Sequence, residues 1–281
     1  MKVLFATDGS KISYNSILNF SNWAGNFNAD ILSVSDYGML PITLDNDKYA
    51  SYCSSTIQSI LKNSKVFFDN NNIKFDNTIT KCGSVIDSIL ESEREKDYDI
   101  LVLGSNGKKG IKKWLGSVSQ EIASLSENSV YIAKNLNNSE RILFAFDLTA
   151  ERIINRALSF LNLKGKEIHI VSVYEMPDYL FLQGEVDMNW IQDAEVQQYN
   201  SAKILLDRIE KIFEDRGCKI YSKHILKGIP SEEIIKYSSE KNIDLVVTGM
   251  HDKKHLSRFF NNSVSKRILE HTNSDVLIIK D

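Results

Sequence analysis

The chain of 281 residues is 42% hydrophobic and 25% charged, and its 34 Lys and Arg against 37 Asp and Glu leave a formal net charge of −3. This apolar content suffices for one large core or two modest ones, and the charge balance excludes a long-range cationic field for gathering nucleic acid or an anionic membrane. No stretch reaches the ~18 apolar residues of a bilayer span, and MKVLFATDGS is too short an apolar start for a signal peptide, so a soluble, cytoplasmic protein contacting neither nucleic acid nor membrane is expected.

In chain order, short β-branched apolar runs alternate with segments whose apolar residues recur three or four apart. Strands are predicted at Lys2 to Thr7, Asp30 to Ser35, Lys74 to Lys81, Asp99 to Leu103 and Ser129 to Ala133. The segments between them read as helices. Ile12, Ile17, Phe20 and Ala24 share one helical face, and Val85, Ile86, Ile89 and Leu90 form an apolar stripe after Gly83. This alternation gives an α/β fold with a parallel sheet covered on both faces.

The arrangement then recurs. KVLFATDGS, whose apolar run ends at Asp8, is matched by RILFAFDLT at Asp147, 139 residues on. Gly83 and Gly104 have counterparts 145 residues on at Gly228 and Gly249, while GSVSQEI and SVYIAK recur as NSVSKRI and DVLIIK at an offset of 146. A repeat of this length is a compact domain and not a solenoid unit. Two tandem doubly wound domains are expected, 1–135 and 140–281, each with a five-stranded parallel sheet, joined by the polar stretch Asn135 to Ser139.

Open sheets of this kind bind ligands beyond the carboxyl ends of their strands, where the strand order reverses. In the first half, the loops at that end contain Asp8, Ser35 to Asp36, Gly83, and GSNGKKGIKKWLGSVS from Gly104 to Ser119. Glycines on a strand-to-helix connection let backbone N–H groups approach an anion, and the following helix adds partial positive charge at its N-terminus. Lys108, Lys109, Lys112 and Lys113 either neutralise phosphates or form a solvated face. Asp8 either meets a ligand or caps the following helix.

On the ATDGS end of the first strand, the turn at Gly83, and Gly104-Ser105-Asn106-Gly107 followed by Gly116-Ser117, the chain resembles the universal stress proteins, specifically their tandem two-domain members. The resemblance covers nearly the whole chain. It implies a Rossmann-like fold of the adenine nucleotide alpha hydrolase type and an adenine nucleotide, ATP with or without Mg, as cofactor. It places Ala6, Thr7 and Asp8 at the adenine or ribose, Val34 against the base, and Gly83 where backbone lies close to base or ribose. Gly104, Ser105, Asn106, Gly107, Gly116, Ser117, Val118 and Ser119 would hold ribose and phosphates, with the Ser117 and Ser119 hydroxyls as donors. The family's nucleotide-binding signature has nine residues between its second and third glycines, and here Lys108 to Leu115 supply eight. In the second half Asp252 and Asn262 stand in place of those two glycines. A carboxylate repels phosphate and a side chain obstructs backbone approach, so the first half is the expected nucleotide site.

The remaining features carry less. Cys53, Cys82 and Cys218 have neither metal-ligand spacing nor an even count for a disulfide framework. His251 and His255 lie in a loop without a further ligand pattern, so no metal is expected. Tyr174, Tyr179, Phe181 and Trp190 read as cover for apolar surface, or as the wall of a small apolar pocket. No Ser–His–acid set, paired-carboxylate motif or phosphate-loop lysine motif is present in the sequence. The chain is therefore not expected to be an enzyme, although the resemblance allows slow ATP hydrolysis or self-phosphorylation. An ATP-using ligase on a related fold would need a Ser-Gly-Gly-x-Asp-Ser type loop where ATDGSKIS stands. The expected function is a stress-response, nucleotide-dependent regulator recognised by a protein partner. The alternative is a nucleotide-independent tandem scaffold for a protein partner or small ligand. The resemblance also implies that Ser129 to Ala133 pairs with Asp275 to Ile279 as an intramolecular pseudo-dimer, with a homodimer of the whole chain as a further assembly.

Overall fold

The computed structural model describes residues 1–36, 46–105, 115–134, 139–146, 151–176, 188–250 and 264–280. Its first half runs β1 (Lys2–Ala6), α1 (Lys11–Trp23), β2 (Asn28–Ser35), α2 (Asn46–Asn70), β3 (Phe75–Cys82), α3 (Val85–Glu95), β4 (Ile100–Gly104), α4 (Ser117–Leu125) and β5 (Ser129–Ala133). The second half repeats the order as β6 (Arg141–Ala145), α5 (Glu151–Phe160), β7 (Glu167–Tyr174), α6 (Met188–Glu214), β8 (Ile220–Lys227), α7 (Pro230–Glu240), β9 (Leu245–Met250), α8 (Val264–His271) and β10 (Asp275–Lys280). The five predicted strands of the first half are all present, with ends that coincide or shift by at most two residues.

The ten strands form one sheet in the order β3-β2-β1-β4-β5-β10-β9-β6-β7-β8. Pairing is parallel within each half, and the halves join through one antiparallel pair in which Leu277 lies opposite Tyr131. Strand order reverses between β1 and β4, and again between β6 and β9, which fixes the two crevices.

Alternation along the strands sorts side chains into two cores, one on each face of the sheet. Val3 and Phe5 join Ile17, Phe20, Trp23, Phe68, Phe144 and Phe213, whereas Leu4 joins Leu101, Ile122, Val130, Leu143, Val246 and Ile268. Both cores cross from one half to the other. Each large apolar side chain buried in this way stabilises the fold by about 1.5–3 kcal/mol.

Local chemistry starts the helices. Ser10 caps α1 by accepting the Ser13 N–H at 3.2 Å, a type of contact worth about 1 kcal/mol. Pro230 opens α7, with Glu232 and Glu233 in its first turn. The apolar face predicted for α1 is present at Ile17 and Phe20, with Ala24 just past its end, but Ser13, Ser16 and Asn19 are buried as well. They are covered because α1 packs on β4 and β5, and its far end meets the second half through Gly25 N–H to Phe160 O (3.0 Å) and Asn162 N–H to Trp23 O (2.7 Å).

The seam is also polar. Asp275, fully buried at the start of β10, accepts from the Tyr131 hydroxyl (2.6 Å), the Asn19 amide (2.9 Å) and the Lys134 N–H (2.7 Å). Lys134 sends its Nζ to the carbonyls of Leu269 and Thr272, and Lys280 reciprocates onto Ser126 O. Each lysine thus supplies a cation to the C-terminal end of a helix in the opposite half. At the sheet's outer edges, Lys81 pairs with Glu91 and Glu95, and Lys223 with Asp207 and Glu210. Such charges discourage further strand addition.

Burial lowers the Lys134 ammonium to about 8, although Asp275 and Glu270 pull the other way. The unfolded side chain holds its proton to its ordinary value of 10.5. Below about pH 8 both states are protonated, whereas above it the unfolded chain binds more protons and stability rises with pH. Urea unfolding of wild type and Lys134→Met between pH 7 and 9.5 should show that rise, at most about 2 kcal/mol, in the wild type only.

Candidate functional site

β1 and β2 pair with Ala6 beside Leu32, β2 and β3 with Ser35 beside Cys82, and β1 and β4 with Phe5 beside Val102. Ala6, Val34, Gly83 and Gly104 therefore stand at one end of the sheet, around the first reversal of strand order.

The loop leaving β1 is shaped by its own side chains. The Thr7 oxygen accepts the Gly9 N–H at 3.0 Å and lies 2.8 Å from the Ser13 hydroxyl. Ser13 spends its proton on Ser10 O, so Thr7 is the donor of that pair and its proton is committed. Asp8 accepts the Ser10 N–H at 2.9 Å through Oδ1, closing a turn that orients the capping serine. Gly9 has φ +74°, with Ile60 within 3.1 Å of where a Cβ would project.

Gly83 donates its N–H to Ser35 O at 2.9 Å and has φ +142°, a backbone conformation that L side chains rarely adopt. Gly228 repeats both features, with φ +143° and an N–H bond to Tyr174 O. A Cβ on Gly104 would lie 3.0 Å from Ile12 Cγ2 and 3.1 Å from the Ser13 nitrogen, and one on Gly249 would lie 2.5 Å from Ile153 Cδ1. These two glycines let a helix approach a strand end, in both halves alike.

Gly116 is different. It is the N-cap of α4 with φ −67° and ψ 146°, ordinary extended backbone, and among the described residues no side chain caps the helix. The first turn of α4 thus begins at the crevice end of the sheet, where unpaired N–H groups of a helix start attract anions. Gly116 N–H donates to Ser105 O (2.7 Å), Ser105 N–H to Ala133 O (2.8 Å) and the Ser119 hydroxyl to Gly104 O (2.7 Å), which pins both ends of the intervening loop. Ser119 and Ser105 are buried, Val118 is half-buried and Ser117 is exposed. The Ser119 proton is committed to Gly104, leaving Ser117 as the hydroxyl of that pair that faces solvent.

Asn106, Gly107 and the four lysines lie outside the described residues, as do Asp147, Tyr179, Phe181, His251, Asp252, His255 and Asn262. Trp190 is 51% exposed. Tyr174 bonds Glu195 at 3.3 Å and meets Tyr199 edge to face.

Two cavities extend the sequence reading. One of about 390 Å³ lies between Gly9, Tyr14 and the α2 residues Ser55, Ser59, Ile60 and Asn63. Its legible signal was the polar stripe at positions 55, 59 and 63, one helical face directed toward the crevice loop. The other, about 160 Å³, occupies the second half's reversal point and is lined by Phe146, Ile153, Val171, Val173 and Ile234 beside Thr248 and Ser265. Phe146 stands where the first half has Thr7, so an apolar ring replaces a hydroxyl that organises the first loop. Ser265 keeps the structural bond, donating to Gly249 O at 2.8 Å.

Because a Gly104 Cβ would meet backbone atoms of Ser13 and Ile12 as well as the Ile12 side chain, whereas one on Gly249 would meet only the Ile153 side chain, Gly104→Ala should be the costlier change, by about 1–3 kcal/mol. Gly249→Ala should cost less, and Gly116→Ala under about 1 kcal/mol as a lost helix cap. Thermal unfolding without ligand checks this ranking.

The profile of the Universal stress protein family matches residues 1–134 and again 138–280. Universal stress protein MJ0577 of Methanocaldococcus jannaschii is 29% identical over 154 residues, covering 50% of this chain and 94% of that protein. A universal stress protein of Synechocystis is 23% identical over 205 residues, 71% of this chain and 63% of its own. The crystal structure of a universal stress protein from Archaeoglobus fulgidus superposes with a TM-score of 0.71 at 22% identity, covering 99% of this chain and 96% of that one, which shows the shared fold. Matched twice, once in each half, this chain belongs to the universal stress protein family in its tandem two-domain form.

Proposed function

We propose that the first half binds an adenine nucleotide, ATP with or without Mg, and that the bound state is what a protein partner recognises in a stress response. The observation that carries this reading is Gly116. Its φ of −67° is one that any residue adopts, yet glycine there gives the N-cap no side chain to occupy the first N–H groups of α4 beside the crevice, where such groups attract phosphate. Thr7 to Ser10, Val34 and Gly83 surround the same strand ends. Ser117 is the exposed hydroxyl within reach of that helix start. Binding rather than turnover is the consequential event in this reading, because a ligand that favours one conformation shifts the population a partner meets.

The second half supports a division of labour. Its cleft is walled by Phe146, Val171 and Val173, and its sequence places Asp252 and Asn262 where the first half has Gly107 and Gly116. We assign the nucleotide to the first half alone. A nucleotide-independent scaffold is the second reading, favoured by that apolar cleft.

Purified protein should release about one adenine nucleotide per chain on denaturation, as read by mass spectrometry, and apoprotein should bind ATP in a calorimetric titration. Gly107→Asp should weaken ATP at least about 100-fold, close to 3 kcal/mol. No released nucleotide and no binding at millimolar ATP would sink the proposal. Unchanged partner recruitment by the Gly107→Asp variant would favour the scaffold.

A further inference from the structure

We propose that the β5–β10 seam is a recognition surface that accepts only the unlike half, so that it excludes pairing with a second copy of either half through the same strand. The pseudo-twofold axis passes between Tyr131 and Leu277, which are partners in the register and counterparts in the repeat. Around that axis the backbone pattern is symmetric. Lys134 N–H donates to the Asp275 side chain, and Lys280 N–H to the Ser129 side chain at 3.2 Å.

The side chains are not symmetric. Asp275 is fully buried, and the three donors named above, Tyr131, Asn19 and the Lys134 N–H, all come from the first half. The second half has Leu277 in place of Tyr131, and α5 buries Ile153, Ile154, Ala157 and Phe160, with no amide on that face. Two second halves paired by the same strand would each bury a carboxylate stripped of the phenol and amide donors. Two first halves would place a pair of Tyr131 side chains where the core holds one Tyr and one Leu. They would also meet Ser129 where Asp275 now receives the phenol. A buried polar group that loses its partner keeps the cost of its desolvation without the compensating bond, and the like pairs lose at least two such contacts. The unlike pair is therefore selected both by attraction and by the penalty on its competitors. Strands that would otherwise serve as a pairing edge are consumed within one chain, and any larger assembly must use another surface.

The test inserts a protease site between Asn137 and Asn138 of the full-length chain, cleaves the folded protein, unfolds and refolds it, and identifies the pairs by native mass spectrometry. The halves differ in mass, so like and unlike pairs are distinct. Unlike pairs should exceed like pairs by at least about tenfold, a floor that the loss of two buried contacts meets. Making the seam symmetric with Tyr131→Leu and Asp275→Ser should raise like pairs toward their statistical share. Like pairs at that share in the wild type, or halves that stay single, would overturn the proposal. A second readout needs no cleavage: in the uncut chain, Tyr131→Phe and Asp275→Asn should be non-additive in urea midpoint, the double variant losing less than the sum. Strict additivity would count equally against it.

Discussion

One buried carboxylate organises this molecule. Asp275 has no contact with solvent, and a charge in that position is tolerable only where donors surround it. Tyr131, Asn19 and Lys134 provide them from the other half of the chain. Satisfying that one group fixes the antiparallel register of β5 and β10, and this register makes two five-stranded sheets a single ten-stranded one with cores continuous on both faces. The lysines at the ends of the same two strands then tie each half to a helix terminus of the other.

With the sheet fixed, the two crevices follow from strand order, and their chemistry diverges. The first is bordered by a loop whose hydroxyls and carboxylate are engaged with its own backbone, together with an uncapped helix start. The second is walled by Phe146, Ile153 and two valines. The same contrast recurs deeper in the sheet at positions that match in the repeat. Burial pushes the Asp30 carboxyl up, but hydrogen bonds from Lys96, Tyr98 and Asn77 more than offset it and hold it below its usual range. At the matching His169, burial pulls the imidazole down further than its Glu167 partner restores it. Duplication preserved the scaffold while the polar contacts of each half were rebuilt.

The glycines show how far the site could be read from the sequence. Gly83, Gly104 and Gly116 look alike there, as glycines that let backbone approach a nucleotide, the first at base or ribose and the other two at ribose and phosphates. In the folded chain, Gly83 is required by its φ and Gly104 by Ile12 and the Ser13 backbone, and both requirements recur in the second half at Gly228 and Gly249. These glycines belong to the fold. Gly116 has an ordinary φ and is replaced by Asn262 in the second half, so it is the glycine on which the nucleotide proposal rests. Ser119 was legible as a hydroxyl beside the loop, but its bond to Gly104 O was not, because that choice depends on how α4 meets the end of β4.

The sequence by itself determined the strands, the helical stripes, the repeat and the end of the sheet at which a crevice forms. Those features arise from side-chain period and backbone preference within a few residues, and each is written locally. Burial of Ser13, Ser16 and Asn19 on a helix that reads as merely amphipathic was decided by how α1 packs on β4 and β5, and for Asn19 by its bond to Asp275 of the second half. The pairing of Asn19 with Asp275 spans 256 residues and that of Tyr131 with Asp275 spans 144. No local pattern encodes such contacts, because the free energy of a buried polar group depends on which distant atoms surround it once the chain has folded.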